Sequence, residues 1–101
     1  MSRYNYSRRD DSHREIVKQL EAMGCSVRDL SQVGDKGSDL DVALCGLMYP
    51  VECKTGKETL SAEQREYYER WRGPPVVVLH DKHEAEAWVN SVRARIRRDE
   101  S

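Results

Sequence analysis

The chain has 101 residues, with 17 Lys and Arg against 18 Asp and Glu and a formal net charge of −1. That length accommodates one small domain and no second one, and the charge balance excludes a bulk polycation. With 38% hydrophobic and 35% charged residues and no Phe, the core must be economical, and so short a domain gains by oligomerising. Cys25, Cys45 and Cys53 are odd in number and spaced unlike any zinc motif. They read as reduced, mostly buried thiols rather than a disulfide framework. No signal peptide is visible and no apolar run approaches ~18 residues, so a soluble, cytoplasmic protein is expected.

Residues 1–11 are polar and carry Arg3, Arg8 and Arg9; the expectation is a flexible basic arm ahead of a single domain over 12–98. Ser12 with Glu15 three positions on has the form of a capping box. Ile16, Val17, Leu20 and Met23 give the first helix its apolar stripe, and Gly24 closes it. Residues 25–38 read as a short strand or irregular segment entering a turn flanked by Gly34 and Gly37. Leu40, Val42 and Leu44 alternate with Asp39, Asp41 and Ala43, which predicts a strand with one apolar and one acidic face. Cys45-Gly46 is the turn of a hairpin into Leu47–Lys54, where Pro50 must sit at an unpaired position or at the strand's beginning. Ser61 and Gln64 form a second capping box, opening a helix to about Arg72 that Gly73-Pro74-Pro75 stops. The run Val76–Leu79 predicts a strand buried on both faces. Asp81 and Glu84 then open a last helix with the stripe Ala85, Trp88, Val89, Val92 and Ile96. The order αβββαβα gives an α/β fold, a small mixed sheet flanked by helices.

Glu52 and Lys54 project from one face of their strand while Cys53 points the other way. An acid and an amine on a solvated strand face are common. A strand in the middle of the chain between two partners is central, however, where an open polar face is harder to arrange. Asp39 and Asp41 share a face and could both turn towards Glu52; alternatively Asp39 satisfies the turn and Asp41 faces solvent. Clustered carboxylates are tolerated when a cation neutralises them, and magnesium needs only oxygen ligands and retained waters. A metal-bound water beside an amine suits phosphodiester hydrolysis.

Gln64 could serve the capping box or, on the stripe Leu60, Gln64, Tyr67, Tyr68 and Trp71, face the sheet and need a partner there. Glu15 is explained by capping, with a metal role as the alternative. His13, His80 and His83 show no metal or triad spacing. Gly34 and Gly37 precede a strand, not a helix, so no phosphate-cradling loop is present. Arg93, Arg95, Arg97 and Arg98, like the arginines of the arm, suit either a solvated surface or contacts to a nucleic-acid backbone.

Gly37-Ser38-Asp39-Leu40, the hairpin, Val51-Glu52-Cys53-Lys54 and Leu60-Ser61-x-x-Gln64 together resemble the PD-(D/E)xK nucleases. The nearest branch is the VRR-type (VRR-NUC) nuclease domain, including its small stand-alone phage forms, with Holliday junction resolvases as structural relatives. The resemblance spans roughly Ser12 to Leu79 and implies a restriction-endonuclease-like core. By position it implies Asp39 and Glu52 as metal carboxylates, Lys54 as the catalytic lysine, and Gln64 as the glutamine that follows the motif. Glu15 matches the acidic residue of the first helix. Ser38 stands where the family usually has proline, a change at the turn rather than in the chemistry, and Asp41 has no clear family role.

The implied activity is a metal-dependent DNA endonuclease, catalysed by Asp39, Glu52, Lys54 and Gln64, in a bacterial or phage-infected cell. Magnesium, with manganese able to substitute, would sit on Asp39, Glu52 and the Cys53 carbonyl, with Glu15 and Asp41 as further candidates. A homodimer acting on branched DNA such as Holliday junctions is the implied partner state. The alternatives are a non-catalytic DNA-binding or assembly module on the same fold and, with little chain left for base recognition, a sequence-specific restriction enzyme.

Overall fold

Alternation along two successive segments creates the centre of the molecule: β2 (Leu40–Leu44) and β3 (Leu47–Cys53) pair antiparallel as a tight hairpin. Its turn residues Cys45 and Gly46 both have positive φ, 54° and 84°, the conformation whose twist matches flanking strands. The computed structural model describes residues 3–32 and 37–100, so Val33 and Gly34 of the expected glycine-flanked turn lie outside the described residues. β1 (Ser26–Asp29) adds antiparallel to β2, and β4 (Val77–Leu79) adds parallel to β3, giving the sheet order β1-β2-β3-β4. With α1 (Arg3–Ala22), α2 (Ala62–Glu69) and α3 (Lys82–Glu100), the element order is αβββαβα, as the sequence predicts. β3 is the inner strand expected, paired on both sides, and Pro50 lies within it one residue before the β4 pairing begins at Val51. A missing N–H there costs β4 nothing.

The register separates two faces. Leu40 opposes Val51, Val42 opposes Tyr49, and Val51 and Cys53 oppose Val77 and Leu79, so these residues share one face. α1 and α3 cover it with Ile16, Leu20, Ala85, Val89 and Val92, all at most 1% exposed. Each such side chain contributes ~1.5–3 kcal/mol on leaving water. Trp88 meets Tyr49 edge to face at 5.1 Å. On the opposite face stand Asp41, Met48, Glu52 and Val78, and α2 meets this face at Glu52, through Gln64 and Tyr68, without burying a residue of its own.

Four local expectations change. α1 starts at Arg3, well ahead of Ser12, and takes in most of the expected arm. No Gly or Pro before Gly24 interrupts it, so Ser12 and Glu15 lie inside the helix and form no capping box. The Ser12 hydroxyl instead donates to the His80 carbonyl at 2.8 Å, tying α1 to the start of α3. α2 ends at Glu69 with Arg70 as C-cap, before the predicted Arg72, because the backbone tightens there, the Arg70 and Trp71 amides donating three residues back to the Tyr67 and Tyr68 carbonyls; the Trp71 indole donates to the Pro74 carbonyl at 2.7 Å. β4 is an edge strand: Leu79 is buried but Val77 and Val78 are only half-buried, with a strand partner on one side alone. Arg93 is not a free surface cation; its guanidinium donates to the Met23 carbonyl and caps the C-terminal end of α1.

Candidate active site

β3 runs on past Leu40, the first residue of β2. There the Cys53 amide donates to Asp39 Oδ2 at 2.9 Å. The turn aspartate is therefore pinned beside the end of β3. Glu52 projects from the face away from the core, yet it is only 2% exposed. Burial comes from α2 overhead and from Asp39 alongside.

Besides Asp39, three groups surround Glu52. Tyr68 Oη donates to Oε2 at 2.8 Å, and Gln64 Nε2 donates to Oε1 at 3.3 Å. Lys54, half-buried one period along, supplies positive charge. Burial first, and then the neighbouring Asp39 charge, raise the Glu52 carboxyl to about 7 against the downward pull of the Tyr68 hydrogen bond and Lys54. Desolvation and the Glu52 contact push the Tyr68 hydroxyl well above its ordinary value, so it stays a donor.

Gln64 fulfils both of its sequence readings at once. Its Oε1 accepts from the Ser61 amide at 2.9 Å and its own amide donates to Ser61 Oγ at 3.1 Å, completing the capping box. That leaves Nε2 aimed at Glu52. Capping thus fixes the rotamer of a site residue.

The structure brings Asp39, Glu52, Lys54 and Gln64 together. It places Asp41 elsewhere on the face, accepting from Ser38 Oγ at 3.1 Å and lying 3.9 Å from its cross-strand neighbour Arg28. Glu15 is exposed on α1, on the far side of the sheet, with no hydrogen bond or ion pair to the site. Tyr68 is the site residue that sequence reasoning missed. Its signal was the i, i+4 relation to Gln64 on one helix face. Outside the cluster, His13 bonds Asp29, and His80 bonds Glu84 and the Glu58 carbonyl. The site opens into a cleft of about 990 Å³ along α2, lined by Gly37, Glu52, Gln64, Tyr67, Tyr68 and Trp71 among others.

The donor set suits a hard divalent cation. Two adjacent carboxylates, one carrying a strongly raised pKa, form an arrangement that positive charge would relieve. No group of three or more His, Cys, Asp and Glu side chains gathers among the described residues. Two carboxylates, a backbone carbonyl and retained waters match magnesium better than a cage of protein ligands.

No family model matches the chain, and neither does any curated protein. Among solved structures, one described as a VRR_NUC domain superposes with a TM-score of 0.65 at 28% identity, over 80% of this chain and 92% of the other. No helix among the described residues is long and apolar enough to cross a membrane. The family resemblance is thus matched at the level of the fold: this chain has the VRR-type nuclease fold, a four-stranded mixed sheet flanked by helices.

Proposed function

We propose that the protein is a metal-dependent DNA endonuclease that hydrolyses phosphodiester bonds in branched or structured DNA, working as a homodimer. The observation that carries the reading is the buried Glu52 carboxylate, held against Asp39 and oriented by Gln64 and Tyr68 at the floor of an open cleft. A carboxylate placed at such electrostatic cost marks a functional site rather than a structural one.

Asp39, Glu52 and the Cys53 carbonyl would hold magnesium or manganese. The bound ion would supply Lewis-acid polarisation of the phosphate and acidify a water. Gln64 and Tyr68 fix both oxygens of Glu52, so the carboxylate needs no reorganisation when substrate arrives. Asp39 is locked by the Cys53 amide in the same way. Lys54 would stand beside the phosphate, orient the attacking water, and offset negative charge as it grows on the non-bridging oxygens. Support for DNA as substrate comes from the VRR-type fold and the open cleft, which a small-molecule site would not need. A homodimer would present two such clefts to a symmetric junction.

The test is incubation with labelled linear, flap and four-way-junction DNA, with magnesium, manganese or chelator. Metal-dependent cleavage that falls at least ~100-fold in Lys54→Ala is expected. Absence of cleavage on every substrate, or full activity in Lys54→Ala, contradicts the reading; binding without cleavage would identify a non-catalytic module.

A further inference from the structure

α2 is the one helix whose side chains are nowhere buried among the described residues, yet it carries Tyr67 and Tyr68 and is followed, just past its C-cap Arg70, by Trp71. Tyr67 is 47% exposed and Trp71 38% exposed. Their rings lie 5.9 Å apart, tilted by 33°, and Tyr68 supports both edge-on, at 5.0 Å from Tyr67 and 6.2 Å from Trp71. Water-exposed aromatics on a helix of eight residues are unfavourable unless something covers them.

The Trp71 half of this surface is also anchored. The Trp71 indole is anchored through Nε1 to the Pro74 carbonyl at 2.7 Å. It lies so close over Gly73 that a Cβ there would meet three indole atoms at 2.9 Å. A side chain fixed by a hydrogen bond and a permissive glycine, while still presenting ring surface to water, is preorganised for a flat partner.

We propose that Tyr67 and Trp71 form a stacking platform for an unpaired nucleobase of the strand being cut, so that the preferred substrate carries single-stranded character at the cleavage site. The inference rests on the reading of the cleft as a DNA site. Three observations select this occupant. Tyr68 joins platform to chemistry, its hydroxyl on Glu52 and its ring against Trp71, so a base on the platform and a phosphate at Glu52 would belong to neighbouring nucleotides. Arg70 and Arg72 line the same cleft, exposed and without a carboxylate partner among the described residues, where they can take the flanking phosphates. Glu63 and Glu66 line it too; they would repel a second row of phosphates, as in duplex, but not an uncharged base. Every base has a π face, so such a platform selects strand state rather than sequence.

The test measures binding in chelator, which separates it from cleavage. Single-stranded oligothymidylate, a flapped duplex and a blunt duplex are titrated with wild type, Tyr67→Ala, Trp71→Ala and Trp71→Phe. Loss of about tenfold on single strand and flap in both alanine variants, with duplex affinity nearly unchanged and Trp71→Phe close to wild type, is the expected result. Equal loss on all three DNAs, or no loss on any, overturns the proposal. So does a drop of Trp71→Ala from dimer to monomer in sedimentation, which would make the aromatic face a contact between copies. A protein that binds single strands through Trp71 but never cuts DNA fails the nuclease reading alone; a nuclease indifferent to Trp71 fails only this one.

Discussion

The two faces of the sheet are built from the same strands and obey opposite rules. Towards α1 and α3, β3 presents Tyr49, Val51 and Cys53 to the apolar core. Towards α2 it presents Glu52, a buried acid whose pKa is forced up and whose neighbours Asp39, Lys54, Gln64 and Tyr68 are polar or charged. One face lowers the free energy of the fold; the other raises it in return for chemistry. Period-two alternation lets a single strand do both, because a substitution on one face leaves the other in place.

Substitutions that respect or violate this division should sharpen it. Leu40→Ala, deep in the dry face, is expected to lower stability most, by about 3 kcal/mol, read as a fall in Tm of roughly 15 °C. Glu52→Gln should do the reverse. The folded chain keeps the Glu52 proton up to about pH 7, whereas the unfolded chain loses it near the ordinary value of 4.5. Stability therefore falls as pH rises between those values, and the deficit persists above them. Removing the charge should raise stability at pH 8 by about 2 kcal/mol in chelator, with the gain vanishing towards pH 5; thermal melts at both pH values check this. Magnesium should stabilise the wild type at pH 8 and leave Glu52→Gln unmoved.

Tyr68→Phe is a finer probe of the polar face. Its hydroxyl favours the charged form of Glu52, so the variant should shift the acidic limb of the pH–rate profile upward by about half a unit to one unit. An unmoved profile would deny Tyr68 any part in setting the acid. Ser12→Ala, which cuts the tie from α1 to His80 without touching either face, should cost only about 1 kcal/mol in chemical denaturation and leave cleavage intact.

The sequence made the sheet and its site legible because both are local. Alternation fixed β2 and β3, and a motif of short spacing located Asp39, Glu52 and Lys54. What escaped depends on neighbours far along the chain. Ser12 and Glu15 carry a sound capping signal, but capping cannot start a helix that the preceding residues already extend. Val77 and Val78 are as apolar as a buried strand requires, and only the sheet order leaves β4 at an edge. Tyr68 looked like one more member of an apolar stripe until α2 was placed over the acid. Gln64 was read in two ways, and the amide has two ends to serve both.

The most direct test compares adjacent residues on opposite faces: metal-dependent cleavage of one branched DNA substrate by Glu52→Gln and by Cys53→Ala, each first shown to be folded by circular dichroism. The account predicts that Glu52→Gln melts higher and cuts at least ~100-fold more slowly, while Cys53→Ala melts lower and cuts at the wild-type rate. Cleavage by Glu52→Gln at the wild-type rate, or its loss in folded Cys53→Ala, would contradict the assignment of chemistry to the α2 face.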